Sequence, residues 1–149
     1  MNLSQKCQYA LRAVFELAMR HGQGPVPVNL IAEQQHIPPR FLELILVQLK
    51  QAGYIESRRG VQGGYSLSLA PKDISVGDVI RTIEGPLVPV RQADQHRPRR
   101  TRPPADLVFF RLWQQAEKAV ADIYDTTSFQ HLVDQESAAR SKYAADFSI

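Results

Sequence analysis

The chain has 149 residues, 44% of them hydrophobic, which is enough for one ordinary domain with an apolar core. Its 18 lysines and arginines exceed its 15 acidic residues by 3, so the total charge only weakly favours a polyanionic partner. The single cysteine, Cys7, excludes an intrachain disulfide and a cysteine-rich metal site, and no apolar run could cross a membrane or direct secretion, so we expect a cytoplasmic protein.

The first half of the chain predicts a helix-turn-helix. Ser4 is a suitable N-cap for a first helix, in which apolar residues recur at spacings of three and four. A short second helix fits residues 29–36, and a sharp turn with two prolines follows at residues 37–39. A third helix then fits residues 39–52. Two helices joined by so short a turn are typical of helix-turn-helix proteins.

The third helix has an apolar and a polar face. The residues predicted to be buried are Phe41, Leu42, Ile45, Leu46 and Leu49, and those on the opposite face are Arg40, Glu43, Val47 and Lys50. The start of such a helix meets base edges in the major groove, which makes Pro39, Arg40 and Glu43 candidate base contacts. Arg40 suits guanine and Glu43 suits cytosine. Alternatively, these two side chains form an exposed pair on a solvated helix.

Residues 55–65, with the sequence I-E-S-R-R-G-V-Q-G-G-Y, predict a β-hairpin directly behind the third helix. Glycines at positions 60, 63 and 64 permit positive φ angles and the close approach of a backbone to a ligand. The return strand is predicted to alternate through Leu69 and to close at Pro71. A hairpin in this place makes the motif a winged helix-turn-helix.

The hairpin tip carries the candidate contacts to an adjacent minor groove, namely Arg58, Arg59, Gln62 and Gly63. The negative potential of a narrow minor groove attracts arginine. Near the start of the first helix, Lys6 and Tyr9 are candidate phosphate contacts. The plainer alternatives stay open: an ordinary exposed hairpin, an exposed lysine, and a tyrosine at the edge of the core.

Ser75 and Asp78 occupy the N-cap and N3 positions of a fourth helix, which ends at Gly85. Residues 86–106 then carry five prolines and five arginines and predict a loop. The arginines of this loop either contact the DNA backbone or form a solvated charge run, and the sequence leaves both open.

A long helix follows, with a heptad stripe formed by Phe109, Trp113, Ala116, Val120 and Ile123. Such a stripe favours packing against a second helix, so it predicts a homodimer. From Ser128 a short helix is predicted to reach Val133. The predicted fold is mainly α with a small β-hairpin wing: a winged helix-turn-helix DNA-binding domain (1–85), a Pro/Arg-rich loop (86–106), a dimerisation helix with a short C-terminal helix (107–133), and a tail (134–149).

Catalysis is not expected. The histidines at positions 21, 36, 96 and 131 are scattered, and no nucleophile motif, carboxylate pair or nucleotide-binding loop accompanies them. Cys7 lies on the apolar stripe of the first helix, so a role as a small buried hydrophobe is favoured over that of a redox-active thiol.

Five segments together resemble the Rrf2-type family of bacterial transcriptional regulators. They are L-S-x-K at 3–6, Y-A-L-R-A at 9–13, I-A-E at 31–33, Y-I-E-S-R-R-G-V-Q-G-G-Y at 54–65 and I-S-V-G-D-V-I-R-T-I-E-G-P-L at 74–87. The resemblance implies a homodimeric winged-helix regulator, most often a repressor, whose long helix crosses its partner and whose wing enters the minor groove. By the family's pattern, Pro39, Arg40 and Glu43 occupy the base-reading positions and Arg59 is the wing arginine.

One departure from this family is large. Members that bind an iron–sulfur cluster carry three cysteines where this chain has residues 91–106 and no cysteine. Because thiolates are the usual ligands of such clusters, we expect neither a cysteine-ligated cluster nor another cofactor. A cluster held by Cys7 with His36 or His96 is the alternative. The effector is left open: a metabolite, a partner protein, oxidation of Cys7, or none.

The sequence thus predicts a regulator, expected to be a repressor, that binds a pseudo-palindromic operator in double-stranded DNA as a homodimer. The alternative is a protein-interaction module that has lost specific DNA reading. Pro38 and Pro39 favour this alternative slightly, because relatives often have a capping serine and a charged residue at the start of this helix. A small enzyme would need a deep pocket with perturbed titratable groups.

Overall fold

The computed structural model describes residues 3–86 and 104–147, and the side chains of residues 104–107 are outside this description. The elements in chain order are α1 (Gln5–Met19), α2 (Val28–Gln35), α3 (Pro39–Gln51), β1 (Ile55–Arg58), β2 (Gly64–Leu67), a 3₁₀ turn (Pro71–Asp73), α4 (Val76–Glu84), α5 (Pro104–Thr126) and α6 (Phe129–Asp146). The predicted Pro/Arg-rich loop falls almost entirely outside the described residues.

Local capping signals set the starts of α1 and α4 as predicted. The Ser4 hydroxyl accepts a hydrogen bond from the backbone N–H of Cys7 at 3.1 Å and caps α1. Ser75 and Asp78 form the predicted capping box of α4. The second helix ends when His36 adopts a left-handed conformation with φ of 51°.

The core of the described chain is centred on α1, which packs against α2, α3, α4 and α6. Its fully buried side chains include Val14, Leu42, Ile45 and Leu49. Phe129, at the start of α6, is also fully buried in this core, so the C-terminal segment completes the packing of the N-terminal one. One buried charge lies here: Glu16 accepts hydrogen bonds from Arg20 and Gln35 and thereby ties α1 to α2.

The wing is a two-stranded antiparallel hairpin with a third backbone partner that the sequence did not indicate. Ile55 pairs with Leu67 and Arg58 with Gly64. The backbone N–H of Val26, before α2, donates to the carbonyl of Tyr65 at 2.7 Å, and the N–H of Tyr65 donates back at 2.9 Å. The wing is therefore fixed to the loop that leads into the helix-turn-helix.

One prediction about the wing was wrong in detail. The return strand ends at Leu67 and not at Leu69, whose side chain is 44% exposed. Alternation predicts which side a residue faces, whereas strand length depends on a pairing partner. Gly60 and Gly64 have the predicted positive φ angles, 116° and 157°. Gly64 also packs closely against the chain itself, because a Cβ at this position would lie 2.3 Å from the carbonyl oxygen of Val26. Gly63 is similarly confined by the carbonyl of Arg58.

The C-terminal half is more helical than predicted. Helix α5 begins at Pro104, three residues before the expected start, and α6 continues past Val133 to Asp146, so the predicted tail is mostly helix. Local pairs at helical spacing extend α6, including Gln130 with Asp134 and Arg140 with Glu136. These residues are mainly polar, and for that reason the apolar periodicity gave no sign of the helix.

Helix α5 packs chiefly against α4, at its C-terminal end. The Arg81 guanidinium pairs with the Asp125 carboxylate, and the backbone N–H of Val76 donates to the carbonyl of Thr127 at 2.9 Å. The N–H of Phe129 donates to the carbonyl of Ile74 at 3.0 Å. These bonds fix the end of α5 to the core. No helix in the described part of the chain is both long and apolar enough to cross a membrane.

Candidate nucleic-acid interface

The outward face of α3 carries the side chains that were predicted to meet base edges. Pro39, Arg40 and Glu43 are all exposed. Within residues 3–86 and 104–147, Arg40 and Glu43 form no ion pair with each other. The exposed Arg40–Glu43 pair that was the alternative to base contacts is therefore not formed. Its guanidinium group is available to a ligand.

Phe41 was wrongly predicted to be buried. Its side chain is 52% exposed, whereas Leu42, Ile45, Leu46 and Leu49 are fully buried as expected. Phe41 lies at the edge of the apolar stripe, where its ring meets the ring of Tyr9 edge-on at a centroid separation of 6.4 Å. The start of α3 is thus held against α1 by an aromatic pair at the surface.

The two candidate phosphate contacts on α1 have different surroundings. Tyr9 is half-buried beside Phe41, and its hydroxyl accepts a hydrogen bond from Gln5 Nε2 at 3.0 Å. Lys6 lies within electrostatic range of Glu84, at the end of α4. The pKa of Glu84 is lowered mainly by hydrogen bonding to Ser4, first to its side chain and then to its backbone N–H, and to a smaller extent by the charge of Lys6. The structure therefore brings Tyr9 to α3 but places Lys6 near an acidic group.

The wing presents its cations to solvent next to α3. Arg58, Arg59 and Gln62 are exposed, and Gly63 is half-buried in the turn. In the described residues, neither arginine forms an ion pair. Lys50, predicted on the polar face of α3, donates a hydrogen bond to the Ser57 hydroxyl at 2.5 Å and so joins the helix to the wing. Helix α3 and strand β1 are thus in direct contact.

Sequence analysis missed one residue of this surface. Leu44 is 65% exposed, and Val47 is 49% exposed. Leu44 follows Arg40 by four positions and precedes Val47 by three, so its helical spacing alone places it on the outward face. It was missed because only residues 39–43, at the start of the helix, were considered as base contacts.

Cys7 is fully buried between α1 and α4, in a cluster with Val76 and Ile80. Burial, with a smaller contribution from the negative charge of Glu84, raises the pKa of the Cys7 thiol to about 11. The thiolate is the reactive form of cysteine, and it is scarce here at neutral pH. The structure thus agrees with a packing role.

We expect Cys7 to resist alkylation by iodoacetamide in the folded protein at pH 8 and to react rapidly once urea unfolds the chain. A raised pKa means that the thiol of the folded protein is half ionised only at pH about 11, whereas the thiol of the unfolded chain is half ionised near its usual value of 9.0. Mass spectrometry of both forms across this pH range measures the two rates. Equal rates would contradict the burial of this thiol.

The ligands for a cysteine-bound cluster are not assembled in this chain. It contains one cysteine, and that thiol is packed among apolar side chains. Over residues 3–86 and 104–147, no three His, Cys, Asp or Glu side chains are grouped so as to hold a metal ion. His96 lies outside the described residues. An iron–sulfur cluster normally takes several thiolates, and the donor set present does not fit one.

The outward face of α5 carries the predicted heptad stripe. Phe109, Trp113 and Ile123 are 55%, 58% and 63% exposed, Ala116 is exposed and Val120 is half-buried. The rings of Phe109 and Trp113 stack with centroids 6.5 Å apart. These side chains lie away from the main core, to which the described residues of α5 contribute no member.

Comparisons with known proteins agree on family and fold. The Rrf2 family, described as "Iron-dependent Transcriptional regulator", matches residues 3–135. The HTH-type transcriptional regulator CymR of Bacillus subtilis (strain 168) is 32% identical over 143 residues, which cover 96% of this chain and 97% of that protein. The structure of CymR (YrzC), called the global cysteine regulator of B. subtilis, is similar with a TM-score of 0.78 and 33% identity, over 91% of this chain and 98% of that chain. The structure of T. potens IscR gives a TM-score of 0.73 and 31% identity, over 93% and 90%. The predicted fold class is confirmed.

Proposed function

This chain belongs to the Rrf2 family of transcriptional regulators, and on that basis we propose that it binds a pseudo-palindromic operator as a homodimer and represses transcription from it. The chain is a DNA-binding transcriptional regulator and not an enzyme, and a protein-interaction module without DNA reading is not favoured. We propose the homodimeric assembly, repression as the direction of regulation, and the role of each residue. We also propose that the protein acts in the cytoplasm. We also propose that residues 1–85 form the DNA-binding unit.

The observation that carries this proposal is that three guanidinium groups, on the contacting elements α3 and β1 and directly after β1, are exposed and form no ion pair within the described residues. Arg40 stands at the start of α3, and Arg58 and Arg59 stand at the end of β1, with Lys50 and Ser57 hydrogen-bonded between them. A recognition helix with its N-terminal residues in the major groove would present Arg40 and Glu43 to base edges. The wing would then place Arg59 over the adjacent minor groove.

The remaining contacts follow from the same placement. Pro39 would lie against the groove wall beside Arg40, while Arg58, Gln62 and Gly63 would follow the backbone at the wing tip. Tyr9 would touch a phosphate next to α3, where Phe41 holds its ring. Lys6 is the weakest member of the set, because Glu84 competes for its charge.

The homodimer would form through the exposed stripe of α5, centred on Trp113. A twofold axis between two copies of α5 would display the two recognition helices to one face of a duplex, with half-sites separated by a multiple of about 10 base pairs. We propose no cofactor, since the single buried thiol does not supply a cluster's ligands. Cys7 in particular serves packing.

Selection of bound duplexes from a random-sequence pool at physiological salt tests the function. We expect enrichment of an inverted repeat, protection of both half-sites in footprinting, and affinity that falls steeply as salt rises, because several phosphates are neutralised. Bulk DNA is the competitor and heat-unfolded protein the control. Failure of any sequence to outcompete bulk DNA would refute specific operator binding.

A further inference from the structure

We propose that Leu44, together with Val47 one turn further along α3, recognises thymine 5-methyl groups in the major groove of the operator. This inference rests on the proposed function, because it concerns what the outward face of α3 contacts in DNA. It adds an apolar component to a surface that otherwise offers charge and hydrogen bonds.

The first ground is the unusual division of apolar residues on α3. Leu42, Leu46 and Leu49 are fully buried, whereas Leu44 and Val47 are 65% and 49% exposed on the opposite side. Scattered exposed apolar residues are common on protein surfaces, so exposure alone indicates little. The relevant fact is that both side chains stand within one helical turn of Glu43, on the face that would enter the groove.

The second ground is charge, which indicates whether DNA or a protein binds the outward face of α3. Arg40 precedes Leu44 by one turn, and the wing adds Arg58 and Arg59, none of them in an ion pair within the described residues. An apolar protein partner would cover these cations without neutralising them, whereas phosphates on both sides of a major groove would neutralise them. Charge complementarity therefore favours DNA as the partner of Leu44.

The third ground is chemistry. A leucine or valine side chain has no hydrogen-bonding group, and the thymine methyl is the apolar group that base edges display in the major groove. Leu44 lies about 6 Å along the helix axis from Arg40, at roughly 1.5 Å per residue, which corresponds to about two base-pair steps. We therefore expect the contacted thymine within about two base pairs of the position read by Arg40.

Burial of one methyl group against Leu44 should change affinity about fourfold. A symmetric operator carries two such positions, so loss of the methyl from both half-sites should cost about 15-fold. This is a smaller effect than that of a charged contact, but it distinguishes thymine from cytosine and uracil.

Uracil scanning tests the proposal, because replacement of thymine by uracil removes the methyl group alone. The probe is the duplex that the wild-type protein selects from a random pool, with each thymine replaced in turn. Dissociation constants are measured for the wild type, Leu44→Ala and Val47→Ala. Leu69→Ala is the matched control, since Leu69 is 44% exposed and lies beyond the wing strands.

We expect one or two thymines per half-site at which uracil weakens wild-type binding about fourfold. Leu44→Ala or Val47→Ala should abolish that difference at its own thymine, and Leu69→Ala should leave it intact. A selected duplex without any uracil-sensitive thymine, or a Leu44→Ala protein with undiminished sensitivity, would overturn the inference while operator binding stands. If no duplex is enriched at all, the proposed function fails and the inference with it.

Discussion

Replacement of Arg59 by alanine is expected to weaken operator binding at least about 100-fold. A hydrogen-bonded charged group contributes roughly 1.5–3 kcal/mol, and the proposed dimer, which has two wings, would lose two such groups. Arg59 is exposed at the end of β1 and has no ion-pair partner in the described residues, so its removal leaves the fold of the wing unchanged. The loss is measured by fluorescence anisotropy with the selected operator at fixed salt.

The sequence dependence of this loss identifies the kind of contact. A narrow A·T-rich minor groove concentrates negative potential and attracts an inserted arginine, so the loss should shrink when the flanking A·T pairs are replaced by G·C pairs. Arg58→Ala, the neighbouring exposed arginine, is the matched comparison and should lose affinity evenly across sequences. Lys72→Ala controls for total charge. An even loss for Arg59→Ala as well would identify Arg59 as a simple phosphate contact.

The sequence predicted the parts of the fold that depend on local chemistry. The N-cap of α1, the capping box of α4 and the turn before α3 each require residues close together in the chain, and all three formed as expected. The positions of Arg40 and Arg59 on the predicted elements followed from the same local signals, helped by the family resemblance. Their DNA contacts stay predictions.

The features that sequence reasoning missed depend on contacts between distant segments. Nothing near Val26 or Tyr65 indicates that their backbones pair, and for that reason the close packing of Gly64 against the Val26 backbone could not be predicted. The surface position of Phe41 depends on Tyr9, which lies on another helix. The length of α6 depends on pairs of polar side chains, and polar residues do not produce the periodic pattern of apolar residues from which a helix is predicted.

Substitution of Trp113 by glutamate is expected to convert the proposed dimer into a monomer and to weaken operator binding more than about 100-fold. The stripe on α5 places this side chain, 58% exposed, between Phe109 and Ile123, and a twofold axis would bring two introduced carboxylates together in an apolar interface. Once the subunits separate, binding of the second half-site no longer benefits from an effective concentration in the millimolar range. Sedimentation velocity and operator affinity measure the two consequences.

The fold of the monomer should survive this change, and that separates a lost interface from a lost structure. The described residues of α5 contribute no member to the main core, which α1, α3 and Phe129 complete without it. The variant should therefore keep its circular dichroism spectrum and retain weak binding to a single half-site. Tyr143→Glu is the matched control, because Tyr143 is an aromatic residue of α6 that is 67% exposed and outside the stripe. A Trp113→Glu protein that sediments as a dimer would show that the subunits meet through another surface, and then the spacing of the half-sites would have to follow from that surface.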